Sequence, residues 1–251
     1  MNFIHPYLEI YFEPTELREE VEIPFYKEVA WIFLKNLDRR LKLLQHRLNI
    51  NFTDDIPTTE FWRFGSIFMY YIKLDIQFFN DAGELEKREK LLDIIYLAFS
   101  ILGKEYEWNQ TAIEDAYIKS KPEINKFEYY TEFKINRNKK YSGQLRLQLS
   151  GNELQIVAIV KNNQDGKCLN FNLLKTDEGN LSWYRRIKEF GWLDNNNFGL
   201  KFLNGDLWIA LDIETNAVND IVKPKKSTLG KINELMVELK KPAYNSKHKQ
   251  C

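Results

Sequence analysis

The chain predicts an α+β fold. Three observations carry that expectation: apolar residues at helical spacing in the first half, period-two alternation in the second, and turn residues at short intervals between the alternating runs. Gln144-Leu145-Arg146-Leu147-Gln148-Leu149 is the clearest alternation. With 251 residues, 44% hydrophobic and 14% aromatic, the chain has enough apolar material for one large domain or two modest ones.

Residues 3–13 read as a strand with Leu8, Ile10 and Phe12 on one face and Tyr7, Glu9 and Tyr11 on the other; Pro14 ends it. Pro24 suits a first helical turn. Val29, Phe33, Leu37, Leu41, Leu44 and Leu48 follow at helical spacing, so one long helix is expected to about residue 48, its stripe covering a sheet. The partner strand is expected over 66–79, where Ile72, Leu74, Ile76 and Phe78 alternate with Lys73, Asp75 and Gln77. Strand, helix and strand suggest a crossover, with parallel pairing left open. Asn80-Asp81-Ala82-Gly83 supplies a turn, and a second helix from Glu84 carries Leu91, Ile95, Ala98 and Leu102 inward, with Gly103 near its end. Residues 110–119 suit a short third helix before Pro122.

Beyond Pro122 the period changes to two. Strands are expected over 127–136, 142–150, 153–161, 168–175, 198–203 and 206–214, with Gly151-Asn152 and Asn204-Gly205 as the clearest hairpin turns because these residues tolerate positive φ. Leu229, Ile232, Met236 and Leu239 mark a terminal amphipathic helix. The expected division is 1–122, a mixed helix and strand region, and 123–251, an antiparallel hairpin-rich region ending in a helix; one continuous domain is the alternative.

Thirty-six basic residues balance thirty-six acidic ones, so no global field draws nucleic acid or an anionic membrane. Residues 1–12 have no basic region followed by an apolar stretch, the most apolar segment, Leu91 to Leu102, is too short to span a bilayer, and Cys168 and Cys251 make a poor disulfide pair. A cytoplasmic protein in a reducing compartment is expected. The sequons at Asn51, Asn109 and Asn180 read as chance matches in an Asn-rich chain.

The candidate sites are weak in chemistry. His5, His46 and His248 are scattered without metal-ligand spacing, and neither common phosphate-binding glycine loop occurs, so no metal or cofactor is expected. Asp54-Asp55, and Asp75 with Asp81 and Glu84, could pair carboxylates, although turns and helix caps explain them equally. Ser66, Ser142 and Cys168 lack the setting of a catalytic nucleophile. Lys35, Arg39, Lys42 and His46 share a helix face, and Arg137 to Lys140 and Arg185 to Lys188 could extend a basic surface, readable as solvated or as a contact for an acidic partner or RNA. Trp183-Tyr184 and Phe190-Gly191-Trp192 concentrate aromatics that suit either core packing between hairpins or a stacking platform. Glu16, Glu19, Glu20 and Glu22 precede the first helix; they either complement its N-terminal dipole or form a protein-binding patch for a basic partner.

The stretch Gly83-Glu84-Leu85-Glu86-Lys87-Arg88-Glu89-Lys90-Leu91-Leu92, its continuation to Glu107-Trp108, the helix with Ala112 and Ala116-Tyr117, and the hairpins leading to Gly191-Trp192-Leu193-Asp194 resemble a group of bacterial proteins, some of them similar to immunity partners of secreted polymorphic toxins. The resemblance spans residues 66–214 and transfers no functional residue. It implies a cytoplasmic protein-binding module that neutralises a toxin by masking its surface; the acidic run Glu16, Glu19, Glu20 and Glu22 adds the expectation that this partner is basic. The alternatives are a hydrolase or nucleotide-processing enzyme with a site built from scattered carboxylates, tyrosines and lysines, and an RNA-binding protein.

Overall fold

The computed structural model describes residues 8–13, 25–37, 47–53, 60–150, 153–177, 187–223 and 229–240. The fold is α+β, and the chain divides into two compact units, residues 2–127 and 128–251.

The N-terminal unit is built on a four-stranded mixed sheet in the order β1-β2-β4-β3, formed by β1 (Leu8–Glu13), β2 (Arg47–Thr53), β3 (Glu60–Phe64) and β4 (Ile67–Lys73). β1 and β2 run parallel, as do β2 and β4, so the crossover takes the parallel form; β3 and β4 form an antiparallel hairpin. Helix α1, Tyr26–Asn36, buries Val29, Ile32 and Phe33 and stops at Leu37, whose backbone is extended. The expected helix to residue 48 is therefore too long: residues 38–46 lie outside the described residues, and Leu48 belongs to β2. The correction has a physical cause. Leu48, Ile50 and Phe52 are a buried period-two set, and only the first of them happens to extend the helical spacing.

The expected strand over 66–79 is likewise shortened. It ends at Lys73, and α2, Ile76–Asp81, follows. Asp75 starts that helix, its Oδ1 accepting the Phe78 N–H at 2.9 Å, and the side chain that α2 buries is Phe79, which a period-two reading would point to solvent. α3, Glu84–Glu105, and α4, Gln110–Ser120, form where expected, with Leu91, Ile95, Ala98 and Leu102 all buried. Glu86 Oε2 accepts the Gly83 N–H at 2.8 Å at the start of α3, and Asn109 Oδ1 accepts the Ala112 N–H at 3.2 Å at the start of α4. Gly103 lies inside α3 rather than ending it. A Cβ there would meet Gln110 Nε2 at 2.3 Å and Ile113 Cδ1 at 2.7 Å, so its role is close packing of α4 on α3.

A buried charge cluster ties these helices together. Arg88 on α3 donates from Nη2 to Glu28 Oε2 on α1 at 2.9 Å, from Nε to Glu84 Oε1 at 2.8 Å and from Nη1 to the Ile124 carbonyl at 3.0 Å, and its guanidinium lies 4.4 Å from the Phe25 ring centroid. The other Glu28 oxygen accepts the Phe127 N–H at 3.0 Å. Nothing in the spacing of the sequence singles out Glu28 or Arg88.

The C-terminal unit pairs two antiparallel sheets. The first runs β5-β7-β8-β9, with β6 paired to β7; its strands are Phe127–Tyr130, Lys134–Ile135, Tyr141–Ser150, Glu153–Asn162 and Cys168–Asp177 for β5 to β9. The second runs β10-β11-β12-β13, over Ile187–Trp192, Asn197–Phe202, Leu207–Asp212 and Ala217–Val222. Leu145, Leu147 and Leu149 share one fully buried face, joined by Leu154, Ile156 and Val160, while Gln144, Arg146 and Gln148 are only half-buried. This face meets Phe198 of the second sheet: a Cβ on Gly143 would sit 2.6 Å from the Phe198 ring. The register Ser150↔Glu153 closes the hairpin around Gly151-Asn152, which themselves lie outside the described residues. At Asn204-Gly205 the connection is longer than a two-residue turn, since the paired ends are Phe202 and Leu207.

The expected strand over 127–136 is broken in two because Thr131 substitutes for a strand residue. Its N–H donates to the Leu145 carbonyl at 3.0 Å, and its Oγ1 accepts the Leu145 N–H at 2.9 Å. β10 and β13 escape the sequence reading for different reasons. A register shift between Ile187 and Glu189 breaks the phase of β10, and β13 is an edge strand exposing Val218, Asn219, Asp220 and Val222. The terminal helix α5, Leu229–Lys240, buries Ile232 and Leu235, leaves Met236 half-buried and exposes Leu229.

Candidate protein-binding surface

The proposed protein-binding residues Glu16, Glu19, Glu20 and Glu22 lie outside the described residues, as do His5, His46, His248, Asp54, Asp55, Arg39, Lys42 and Trp183-Tyr184. Several described members of the other candidate sets are engaged in holding the fold. Lys35 pairs with Glu123 at 2.7 Å and stands 5.8 Å from the Phe127 ring centroid. Burial alone would raise the Glu123 carboxyl, but hydrogen bonds from Lys35 and Asn36, with the charge of Lys35, outweigh it and hold the group below its ordinary value.

Asp75 is committed to capping α2 and Glu84 to Arg88. Asp75 and Asp81 only border a shallow open depression of about 430 Å³ with Gln77, Phe78 and Ala82. Ser142 Oγ donates to Asn163 Oδ1 at 2.7 Å, and Cys168 is exposed, its Sγ 3.7 Å from the Gly166 carbonyl. Phe190 is buried against Phe198, and Trp192 donates from Nε1 to the Lys134 carbonyl at 2.7 Å, so this aromatic pair packs the C-terminal unit. In the same unit Asp194 closes a turn. Burial would raise its carboxyl, but N–H groups of Asn196 and Asn197 donate to it and hold it below its ordinary value.

Tyr117 hydrogen-bonds Asp93 at 2.5 Å and stacks on Tyr96; burial and then that bond raise its phenol, which keeps it a protonated donor joining α4 to α3. Among the described residues, no group of three His, Cys, Asp or Glu could hold a metal ion, and no helix is long and apolar enough to cross a membrane.

What remains is the β3–β4 hairpin, whose second strand lies in the expected strand over 66–79 and whose first, β3, falls outside the expected strands. Gly65 takes φ +59° at the first central position of its two-residue connection to β4, as a type II′ turn requires. Trp62 is 60% exposed and Phe64 81% exposed, the two most exposed aromatics among the described residues. Alternation puts Glu60, Trp62 and Phe64 on one sheet face, in register with Tyr71, Met69 and Ile67 of β4, which are half-buried; further in, Asn51 of β2 is buried. The opposite face of β3 is occupied. Phe61 lies 4.6 Å from Tyr70 between centroids, and the Arg63 guanidinium sits 5.6 Å from the Phe68 ring and 5.4 Å from the Tyr106 ring. The signal that could have found this surface is the aromatic pair itself, flanking an arginine in Phe61-Trp62-Arg63-Phe64, just before a Gly-Ser turn.

Comparison of the chain with protein-family models, curated proteins and solved structures finds no match.

Proposed function

We propose that this chain is a protein-binding module, and that its specific form is an immunity-type partner that neutralises a basic bacterial toxin by masking its surface in the cytoplasm. The observation that carries the reading is the solvent exposure of Trp62 and Phe64 on a sheet edge. Large aromatics cost free energy when left in water, and they are the side chains that most often anchor protein interfaces. The resemblance to immunity proteins supplies the partner class. The acidic segment Glu16, Glu19, Glu20 and Glu22 supplies a charge that would steer a basic partner to the surface.

The test is co-expression with the product of the adjacent gene, read as a stoichiometric complex and as rescue of growth. Changing the four glutamates to Gln is expected to slow association and flatten its salt dependence while leaving the unfolding midpoint in place. An adjacent product that neither binds nor is neutralised removes it as the partner; unchanged association of the quadruple variant removes the acidic segment from the interface.

A further inference from the structure

The edge of β3 differs from the edges at β10 and β13. Strand edges in monomeric proteins are usually guarded by charges, bulges or proline, because an unpaired edge templates pairing with another chain. β10 carries a register shift beside Lys188 and Glu189, and β13 presents Asn219 and Asp220. β3 has no bulge or proline, and its two charges are engaged: Glu60 Oε2 accepts the Trp62 Nε1–H at 3.1 Å. Its one cation, Arg63, is turned back over Phe68 and Tyr106, away from the face that carries Trp62 and Phe64.

The backbone of β3 defines what fits there. The Gly65-Ser66 connection closes on the Phe64↔Ile67 pair, and in a two-residue hairpin that closing pair exchanges both backbone hydrogen bonds. Alternation then directs the N–H and C=O of Phe64, Trp62 and Glu60 toward β4, and those of Arg63 and Phe61 away from it. Among the described residues no strand pairs with this outer edge. Two donors and two acceptors at strand spacing, beside two exposed rings on one face, match an extended peptide whose alternate side chains are apolar.

Area decides between a second copy and a different protein. Aromatic side chains bury about 150–250 Å² each, so completing the burial of these two rings removes about 200–350 Å² per chain, against about 800 Å² per partner in a stable interface. The two rings of each copy, meeting by themselves, would fall well short. A partner reaching past the edge to other surfaces supplies the rest.

We infer that β3 accepts an extended segment of a partner protein as an added strand, with apolar side chains of that segment seated on Trp62 and Phe64. This deepens the protein-binding reading above and rests on it. The test uses the full chain with a capped heptapeptide alternating valine and lysine, and the same peptide N-methylated at every second residue so that its inward hydrogen bonds are lost. The unmethylated peptide is expected to shift and protect the backbone amides of Phe61 and Arg63 in NMR spectra. Trp62→Lys/Phe64→Lys, checked for an unchanged unfolding midpoint, is expected to weaken its binding by about thirtyfold or more, as loss of interface hot spots does.

Failure of the heptapeptide to bind, or equal binding of the methylated peptide, overturns strand addition. So do a dimer of the native chain that Trp62→Lys/Phe64→Lys abolishes, and binding to anionic lipid vesicles through the same residues. If the adjacent gene product binds native chain and double variant equally, strand addition fails while the protein-binding reading stands. If the product does not bind but the peptide does, that partner fails and the edge remains.

Discussion

Replacing Arg88 by methionine tests whether the buried charge cluster holds the helices of the N-terminal unit. Glu28 is 2% exposed and Arg88 5%, so neither charge has water to fall back on. Arg88→Met keeps the length of the aliphatic stem but removes the hydrogen bonds to Glu28, Glu84 and the Ile124 carbonyl. It leaves Glu28 with the Phe127 N–H as its one described hydrogen-bond donor. Breaking a buried ion pair from one side costs about 3–5 kcal/mol, because the surviving charge stays uncompensated. The double variant Glu28→Gln/Arg88→Met removes that charge while an amide oxygen still accepts from Phe127. Its expected loss is about 1–2 kcal/mol, from the missing hydrogen bonds and the carbonyl left unsatisfied. The double variant should therefore be more stable than Arg88→Met, a large non-additivity between residues in contact. Urea unfolding followed by circular dichroism measures both, provided the denaturant slope is shared. An Arg88→Met variant within about 1 kcal/mol of the native chain, or a double variant less stable than the single, would refute a buried pair that must be broken or removed together.

Two further outcomes are expected. Leu147→Asp should cost at least about 3 kcal/mol in urea unfolding, because it places a carboxylate on the fully buried leucine face. Gln148→Asp should cost about 1 kcal/mol, chiefly by setting a second carboxylate beside Glu128, to which Gln148 now donates; comparable losses for the two would contradict the assigned faces. Glu123, held below its ordinary value, contributes stability that is fully present above the ordinary carboxylate range and lost as pH falls through its lowered folded value. Glu123→Gln should lower stability at neutral pH and flatten the acid limb below about pH 4.5, and an unchanged acid limb would contradict it.

The elements that could be read in advance are those in which one local pattern accounts for burial. α3 and α4 were legible because the residues at their helical spacing are the ones buried, and β7 and β8 because Leu145, Leu147 and Leu149 alternate with polar neighbours across a two-residue turn. The sequence misleads where two periods coincide. Leu48 extends the spacing of α1 while belonging to β2, and Ile76 and Phe78 extend the alternation of β4 while Asp75 caps a helix that buries Phe79.

Other features arise only from tertiary structure. The order β1-β2-β4-β3, the Glu28–Arg88 pair and the Thr131 hydrogen bonds to Leu145 join residues separated along the chain, which no local spacing encodes. The same holds for the candidate surface. An aromatic pair in a short strand reads as core until the register shows that Phe61 and the exposed Arg63 lie on the opposite face against Tyr70, Phe68 and Tyr106, which leaves Trp62 and Phe64 to water. The amino-acid sequence determined the α+β class and which segments could form helices and hairpins, since both follow from neighbours along the chain. Which face of each element met another, and which edge was left open, depended on long-range packing and could be decided only by the tertiary structure.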